Sequence, residues 1–479
     1  MKNKLSINVL FAVLSVGVMT FGGVTVETSM NITFPTLMSE FNVGLGTVQW
    51  ITTLYLLVLS TIIPLSRFLK NKFKTYNLFL FSNVIFVIGL ILNAFSPNFF
   101  ILLLGRFVQG IGTGIALPLM FNIILDNVPK SKLGFMMGVG SLITASASAI
   151  GPAFGGLVVN SLGWRYIFIL LIPVLLISLL LGSFSIPKTF QNELHDVKFD
   201  YGSFVLIILM FAGLIIGISN VSENSLLSYQ VLIPIIIGVL ALIIFTKMQN
   251  KSKNPILKVD ILKNVSYAKY TVAFFINQLI ILGLAFIVPN YIQIINKSSS
   301  SLAGLILLPG AIMGAIMSPI SGSLLDGWEL KKPILTGIAM VILSLLVLFT
   351  LSSNISDTIF LVAYIIVMIG IGMSYGNLMT QGLSYLSSEL TSDGNAILTT
   401  VQQFAGAIGT AIISTIITSI NSSYSGGNAT VGFKFALLFL LILGFIQFLA
   451  IISTKINKNK LIFKRTSKFR SPFFVFMCF

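Results

Sequence analysis

Two ionisable side chains, Glu27 and Arg106, stand inside long apolar runs of this 479-residue chain. A charge at the centre of a membrane-length helix costs about 2.5–3.5 kcal/mol on an insertion scale, so one held there is a functional candidate by default. Glu27 falls in the outer half of its run. Arg106 falls about nine residues into another, near mid-depth at about 1.5 Å of rise per residue. A carboxylate taken out of water favours its protonated form, which lets it load and release a proton. A cationic solute nearby would favour the ionised form, so solute and proton would compete, and that competition is all an exchanger needs. Arginine stays charged, so Arg106 is expected to tune a nearby acid or hold an ordered water rather than carry the proton. Plainer roles stand beside these: Glu27 capping a kink after Gly22-Gly23 or facing outer water, and Arg106 bonding backbone carbonyls of the first helix. The other acids lie in loops or at the ends of runs.

Asn31 follows Glu27 by one turn on the same face, and Gln109 shares a face with Arg106. Candidate cavity-lining residues are Trp50, Tyr55 and Asn122 in the first half of the chain, with Asn277, Gln278, Tyr375 and Gln381 in the second. Aromatic faces attract organic cations, and soft side chains tolerate varied shapes. The competing reading is structural: most of the 40 Phe must pack or face lipid, and buried Asn and Gln often hydrogen-bond one helix to another. His195, the only histidine, sits in a polar loop, and Cys478 is the only cysteine. These leave no metal-ligand set and no disulfide framework. No phosphate-binding G-x-x-x-x-G-K-[ST] loop and no nucleophile–base pair is present, so neither an enzyme nor a cofactor is expected.

The elements that position these residues follow from composition. The chain is 56% hydrophobic and 9% charged, which excludes a soluble domain of this size. Fourteen apolar runs of about 20 residues recur along it, each the length of a bilayer-spanning helix. Strand-type alternation is absent, so an outer-membrane barrel is not expected. The net charge of +16 is a matter of placement, not of nucleic acid. With an even number of spans, all but Arg106, Arg165, Lys297 and Lys434 of the 29 basic residues fall on one side. The positive-inside rule makes that side cytoplasmic and puts both termini there, in a multi-pass protein of the cell membrane. The first run is too long for a cleaved signal peptide and reads as a retained helix. The basic, Phe-rich tail from Lys455 to Phe479 suits the anionic inner leaflet.

The fifth run is built unlike the others. It carries Gly138, Gly140, the run Ala145-Ser146-Ala147-Ser148-Ala149, then Gly151-Pro152-x-x-Gly155-Gly156. Small residues let backbones approach, and the proline bends the helix, so close packing and flexing against a partner are expected. The organisation reads as duplicated, with proline-bearing helices and G-x-x-x-G spacings in both halves. Runs seven and eight read as plain Leu/Ile helices between them. The expected plan is an all-α membrane protein of fourteen helices in a 6+2+6 arrangement. Its N-terminal half spans 1–190, two inserted helices with their loops 191–265, a C-terminal half 266–454, and a tail 455–479.

Several motifs together carry a family resemblance. Gly151-Pro152-x-x-Gly155-Gly156 resembles the antiporter motif of the major facilitator superfamily. Glu27-Thr28-x-x-Asn31-x-x-x-Pro35 and Gln49-Trp50 with Tyr55 resemble its Gram-positive multidrug exporters. Arg106-x-x-Gln109-Gly110-x-Gly112-x-Gly114 is similar to the helix-four motif, and Gly163-Trp164-Arg165 to a further opening. Between spans two and three the family's glycine and aspartate are replaced by Arg67 and Asn71, so a gating charge contact between the halves is expected either to be weaker or to rest on Asp326. The resemblance implies the fourteen-span drug:proton antiporter branch: export of small hydrophobic or cationic substrates against inward protons, among membrane lipids and with no obligate protein partner. An exporter of one endogenous lipid, peptide or metabolite is the alternative. An importer and a transport-dead sensor fit the fifth span and the retained Glu27 and Arg106 less well.

Overall fold

The computed structural model describes residues 6–189, 199–221, 224–252, 255–327, 331–387, 390–423 and 430–454. His195, Cys478 and the 455–479 tail lie outside them, as do the side chains of Arg67 and Asp326. Apolar side chains surround most segments, and in lipid such a segment must satisfy its own backbone, which a helix does. The first six long helices are α1 (Ile7–Phe41), α2 (Leu45–Leu65), α3 (Thr75–Ala94), α4 (Phe99–Asn127), α5 (Lys130–Ser161) and α6 (Tyr166–Ile186). A hairpin of α7 (Tyr201–Asn220) and α8 (Tyr229–Lys251) follows. The last six are α9 (Val265–Ile294), α10 (Ser300–Gly327), α11 (Lys332–Thr350), α12 (Asp357–Ser384), α13 (Thr391–Ser423) and α14 (Thr430–Ile452). Among the described residues, thirteen helices are long and apolar enough to cross a membrane. The fourteenth expected span, α5, is 32 residues long but is not one of the thirteen; Gly, Ser and Thr stand where the others carry larger apolar side chains.

Local chemistry fixes several helix ends. Asn98, Asp200, Asn264 and Ser356 each accept a backbone N–H of the first turn of α4, α7, α9 and α12. Gly163, at φ +96°, makes the α5–α6 turn in a backbone region that suits glycine. Lys269 and Lys331 donate to carbonyls just past the end of α14, Lys269 to Ser453 O at 3.2 Å and Lys331 to Thr454 O, where cations also meet the negative end of the helix dipole.

α1 packs on α4, α5 and α6, and α9 packs on α12, α13 and α14. Contacts between the two sets run mainly along α5–α10, α2–α13 and α1–α9. α7 lies against both α2 and α13, while α8 packs chiefly on α7 and leaves Ile233, Ile236, Leu240 and Ile243 exposed on its other side. The hairpin is less plain than its Leu/Ile content suggests. A Cβ on Gly213 would lie 2.6 Å from Pro234 O, and one on Gly217 would overlap Ile235. Gly213 and Gly217 are themselves a G-x-x-x-G pair, hidden in the sequence by the surrounding aliphatics. α1 begins and α14 ends at one face, which also bears the Lys70–Lys74 turn; it is called the lysine-rich face below, and the opposite one the far face.

Candidate functional site

Arg106 is fully buried on α4, held by its own helix and by α2. Its Nε donates to Ile51 O at 3.0 Å and its Nη1 to Gln109 Oε1 at 2.8 Å. The guanidinium carbon lies 4.1 Å from the centroid of the Tyr55 ring, a cation–π contact that gains strength where water is excluded. Tyr55 is locked in turn: its hydroxyl donates to Thr113 Oγ1 at 2.8 Å and to Gly23 O at 3.0 Å. A Cβ on Gly23 would lie 2.5 Å from Thr113 Oγ1, so this glycine lets α1 and α4 meet. Arginine does bond a backbone carbonyl here, but that of α2 rather than of the first helix.

Glu27 projects from α1 with 8% of its surface exposed. It lies within electrostatic reach of Arg106 and Tyr55, and among the described residues its carboxylate has no hydrogen-bond partner. A buried carboxylate facing a fixed cation, yet free of bonds that would hold it ionised, can change protonation without breaking a network. Asn31, 2% exposed, accepts from Thr52 Oγ1 at 3.0 Å. Together α1, α2 and α4 bring Glu27, Asn31, Tyr55, Arg106 and Gln109 into one buried cluster.

The remaining expected lining residues divide. Tyr55 is wholly buried and bonded, so it supports Arg106 instead of lining a cavity. Asn277 donates to Ser374 Oγ at 3.0 Å across α9–α12, a helix-to-helix bond. Gln278 and Gln381 are 8% and 7% exposed, and no partner of either side chain is found among the described residues. Asn122 is half-buried on α4, and Trp50 is half-buried against the α2 side of the core. Tyr375 packs against Phe274 with the rings tilted by 38° and 4.9 Å between centroids.

The glycine motif of α5 serves two partners. Cβ atoms on Gly151 and Gly155 would run into Thr28 and Ser29 of α1, and Ser29 Oγ donates to Gly151 O at 2.7 Å. Gly156 instead faces Ser300 of α10, and Gly304 of α10 faces the carbonyl of Pro152. Near the far face, then, α5 is clamped backbone to backbone both within its own half and across to the other. Sequence reasoning predicted close packing against a partner; the structure supplies two, α1 and α10.

Two further clusters escaped it. Glu40 accepts Trp164 Nε1 and Arg165 Nη1, each at 2.6 Å, and Arg165 Nη2 donates to Ser96 O at 3.0 Å. The Gly-Trp-Arg motif thus ties the far ends of α1, α3 and α6. On α2, Thr53 Oγ1 lies 2.9 Å from Thr410 Oγ1 of α13 and 2.5 Å from Gln49 Oε1, while Gln49 Nε2 reaches Ser219 Oγ of α7 at 3.4 Å. Threonine and glutamine in apolar helices carry no spacing signal, which is why this junction was not foreseen. At the lysine-rich face, Lys70 pairs with Asp126 at 2.7 Å; Asp326 cannot be placed in that arrangement.

Comparison with known proteins gives this cluster a setting. The Major Facilitator Superfamily model matches residues 13–410. The chain is 35% identical over 406 residues to the lincomycin resistance protein LmrB of Bacillus subtilis (strain 168), covering 84% of each. It is 34% identical to the lincomycin resistance protein LmrB of Listeria innocua, covering 84% of this chain and 85% of that one. A multidrug resistance protein B homolog of Mycobacterium tuberculosis (strain ATCC 25618 / H37Rv) is 26% identical, covering 82% and 73%. In three dimensions the chain is similar to a peptide transporter POT solved in complex with sulfate, at a TM-score of 0.68 and 14% identity over 92% of this chain and 94% of that one; that likeness concerns the fold alone.

Proposed function

The chain belongs to the Major Facilitator Superfamily, and from that premise we propose that it exports hydrophobic, cationic drugs across the cytoplasmic membrane in exchange for inward protons. The carrying observation is Glu27: a buried acid facing Arg106, unbonded among the described residues, in a chain similar to resistance transporters. Protonated Glu27 lowers the local negative charge and releases a cationic drug; deprotonated Glu27 attracts one. Gln278 and Gln381, buried without side-chain partners among the described residues, are the second half's candidates for polar contacts to the substrate. Access alternates as α1–α6 and α9–α14 rock about α5–α10 and α2–α13, in a 6+2+6 plan, with the lysine-rich face and both termini in the cytoplasm. Surrounding lipid and the two substrates suffice; no protein partner is required.

Expression in a drug-sensitive bacterium tests this reading. The expected result is a higher inhibitory concentration of lincomycin or ethidium and lower ethidium accumulation than with an empty vector. No change with any tested drug, from a protein shown to be in the membrane, overturns the drug reading in favour of an exporter of one endogenous compound.

A further inference from the structure

Three buried polar atoms without a hydrogen-bond partner among the described residues, Asn93 Nδ2 and Oδ1 and Gln109 Nε2, sit along the α3–α4 seam, and a fourth, Arg106 Nη2, belongs to the side chain that donates to Gln109 Oε1. Leaving such a group bare costs about 1–3 kcal/mol, and buried polar groups that protein does not satisfy are ordinarily satisfied by ordered water. The seam is shaped around these amides. Gly89 of α3 stands opposite Gln109, where a Cβ would come within 2.5 Å of Gln109 Cγ, and Gly105 of α4 stands opposite Asn93. Gly89 and Asn93 are one turn apart on α3, as Gly105 and Gln109 are on α4. The two amides are therefore about 6 Å apart along the seam at 1.5 Å per residue, a spacing that one or two waters would span beside the close approach of Gly89 to the Gly105 carbonyl.

The row continues to the far face. Ser96 Oγ donates to Asn93 O at 3.0 Å, Ser96 O accepts from Arg165, and Arg165 pairs with Glu40. Arg165 and Glu40 are each 36% exposed. At the other end Arg106 reaches Glu27 electrostatically. We infer that the α3–α4 seam holds a buried water path along which protons pass from the far face, by Asn93 and Gln109, to Glu27, separate from the route taken by the drug. The proton leaves bulk water and ends on the Glu27 carboxylate, giving a neutral carboxyl while Arg106 keeps its charge. A terminal water that accepts from Arg106 Nη2 and Gln109 Nε2 must point its own hydrogens away from them, toward an acceptor. The nearby guanidinium disfavours an excess proton resting on that water, which passes it onward.

This inference rests on the proton-coupled reading, and its test separates the two. Inverted vesicles carrying wild type, Asn93→Leu or Asn93→Ser are assayed for ethidium uptake driven by a pH gradient, and for ethidium–ethidium exchange without one. The path predicts that Asn93→Leu, which removes the amide that orders the relaying water, slows gradient-driven uptake by roughly tenfold. Exchange is unchanged, and Asn93→Ser, which keeps a hydroxyl, recovers most of the driven rate. Equal driven rates in all three overturn the path and leave proton coupling standing, whereas parallel loss of both activities assigns Asn93 to structure only. A wild type with no gradient-driven uptake overturns the coupling and the path together. If Asn93→Leu does not fold, an experimental density map of the wild type decides: ordered solvent between Asn93 and Gln109 supports the path, and a dry contact overturns it.

Discussion

Arg106 is held by a carbonyl, an amide and an aromatic face, three contacts that fix its position without neutralising its charge. A buried cation of this kind needs a counter-charge, and Glu27 supplies it only when ionised, which is what couples the protonation of one residue to the energy of another. Tyr55 separates support from substrate contact. Tyr55→Phe keeps the ring beneath the guanidinium and removes the bonds to Thr113 and Gly23, so a loss of about 1–2 kcal/mol is expected. It should register as a lower Tm in detergent with an unchanged KM for drug. A large change in KM at unchanged Tm would return Tyr55 to the cavity wall. Glu27 and Arg106 were legible in the sequence because a charge in an apolar run is conspicuous. Asn93 was not, since an asparagine near a helix end looks like any other, and only the packing shows both its amide atoms buried.

Among the elements, α5 does most to define the arrangement. Its three glycines point in two directions, toward Thr28 and Ser29 of α1 and toward Ser300 of α10, because residues 151 and 155 share a helix face that 156 does not. Gly156→Val sets a side chain against the Ser300 carbonyl, a backbone atom that cannot rotate away. The variant should reach the membrane and lose nearly all drug transport, because the far ends of α5 and α10 no longer close. Transport near the wild-type rate would mean that this contact is not remade in each cycle. The motif announced close packing, and its spacing was sufficient to predict a partner for Gly151 and Gly155. Which helix that partner is depends on folding in three dimensions, and the motif's spacing does not show that Gly156 faces a different helix from Gly151 and Gly155. The Gly213/Gly217 pair of α7 shows the opposite failure, a packing signal masked by aliphatic neighbours.

The whole molecule places two six-helix sets across α5–α10 and α2–α13, with α7 laid over the α2–α13 seam through Gln49–Ser219 and the stacked rings of Phe211 and Phe404, 4.6 Å apart. In the proposed cycle, rocking of the sets would reshape that seam, and the polar junction at Thr53 and Thr410 lies on it. Helical class and membrane residence follow from hydropathy and were legible at once. Thirteen of the fourteen expected spans, all but α5, are long and apolar enough to cross a membrane among the described residues. The placement of the inserted hairpin was not legible, because lipid-facing and seam-facing aliphatics look alike in sequence. In the proposed exchange, drug movement in one direction and proton movement in the other meet at Glu27, and the proposal stands or falls on coupling at that side chain. The deciding measurement is ethidium uptake into inverted vesicles under an imposed pH gradient, wild type against Glu27→Gln, with ethidium binding measured on both. Coupling at Glu27 predicts uptake by the wild type when the lumen is acidic, collapse on adding a protonophore, and loss of driven uptake in Glu27→Gln by roughly tenfold or more. Driven uptake that survives in Glu27→Gln at the wild-type rate would contradict the account and move the proton site elsewhere.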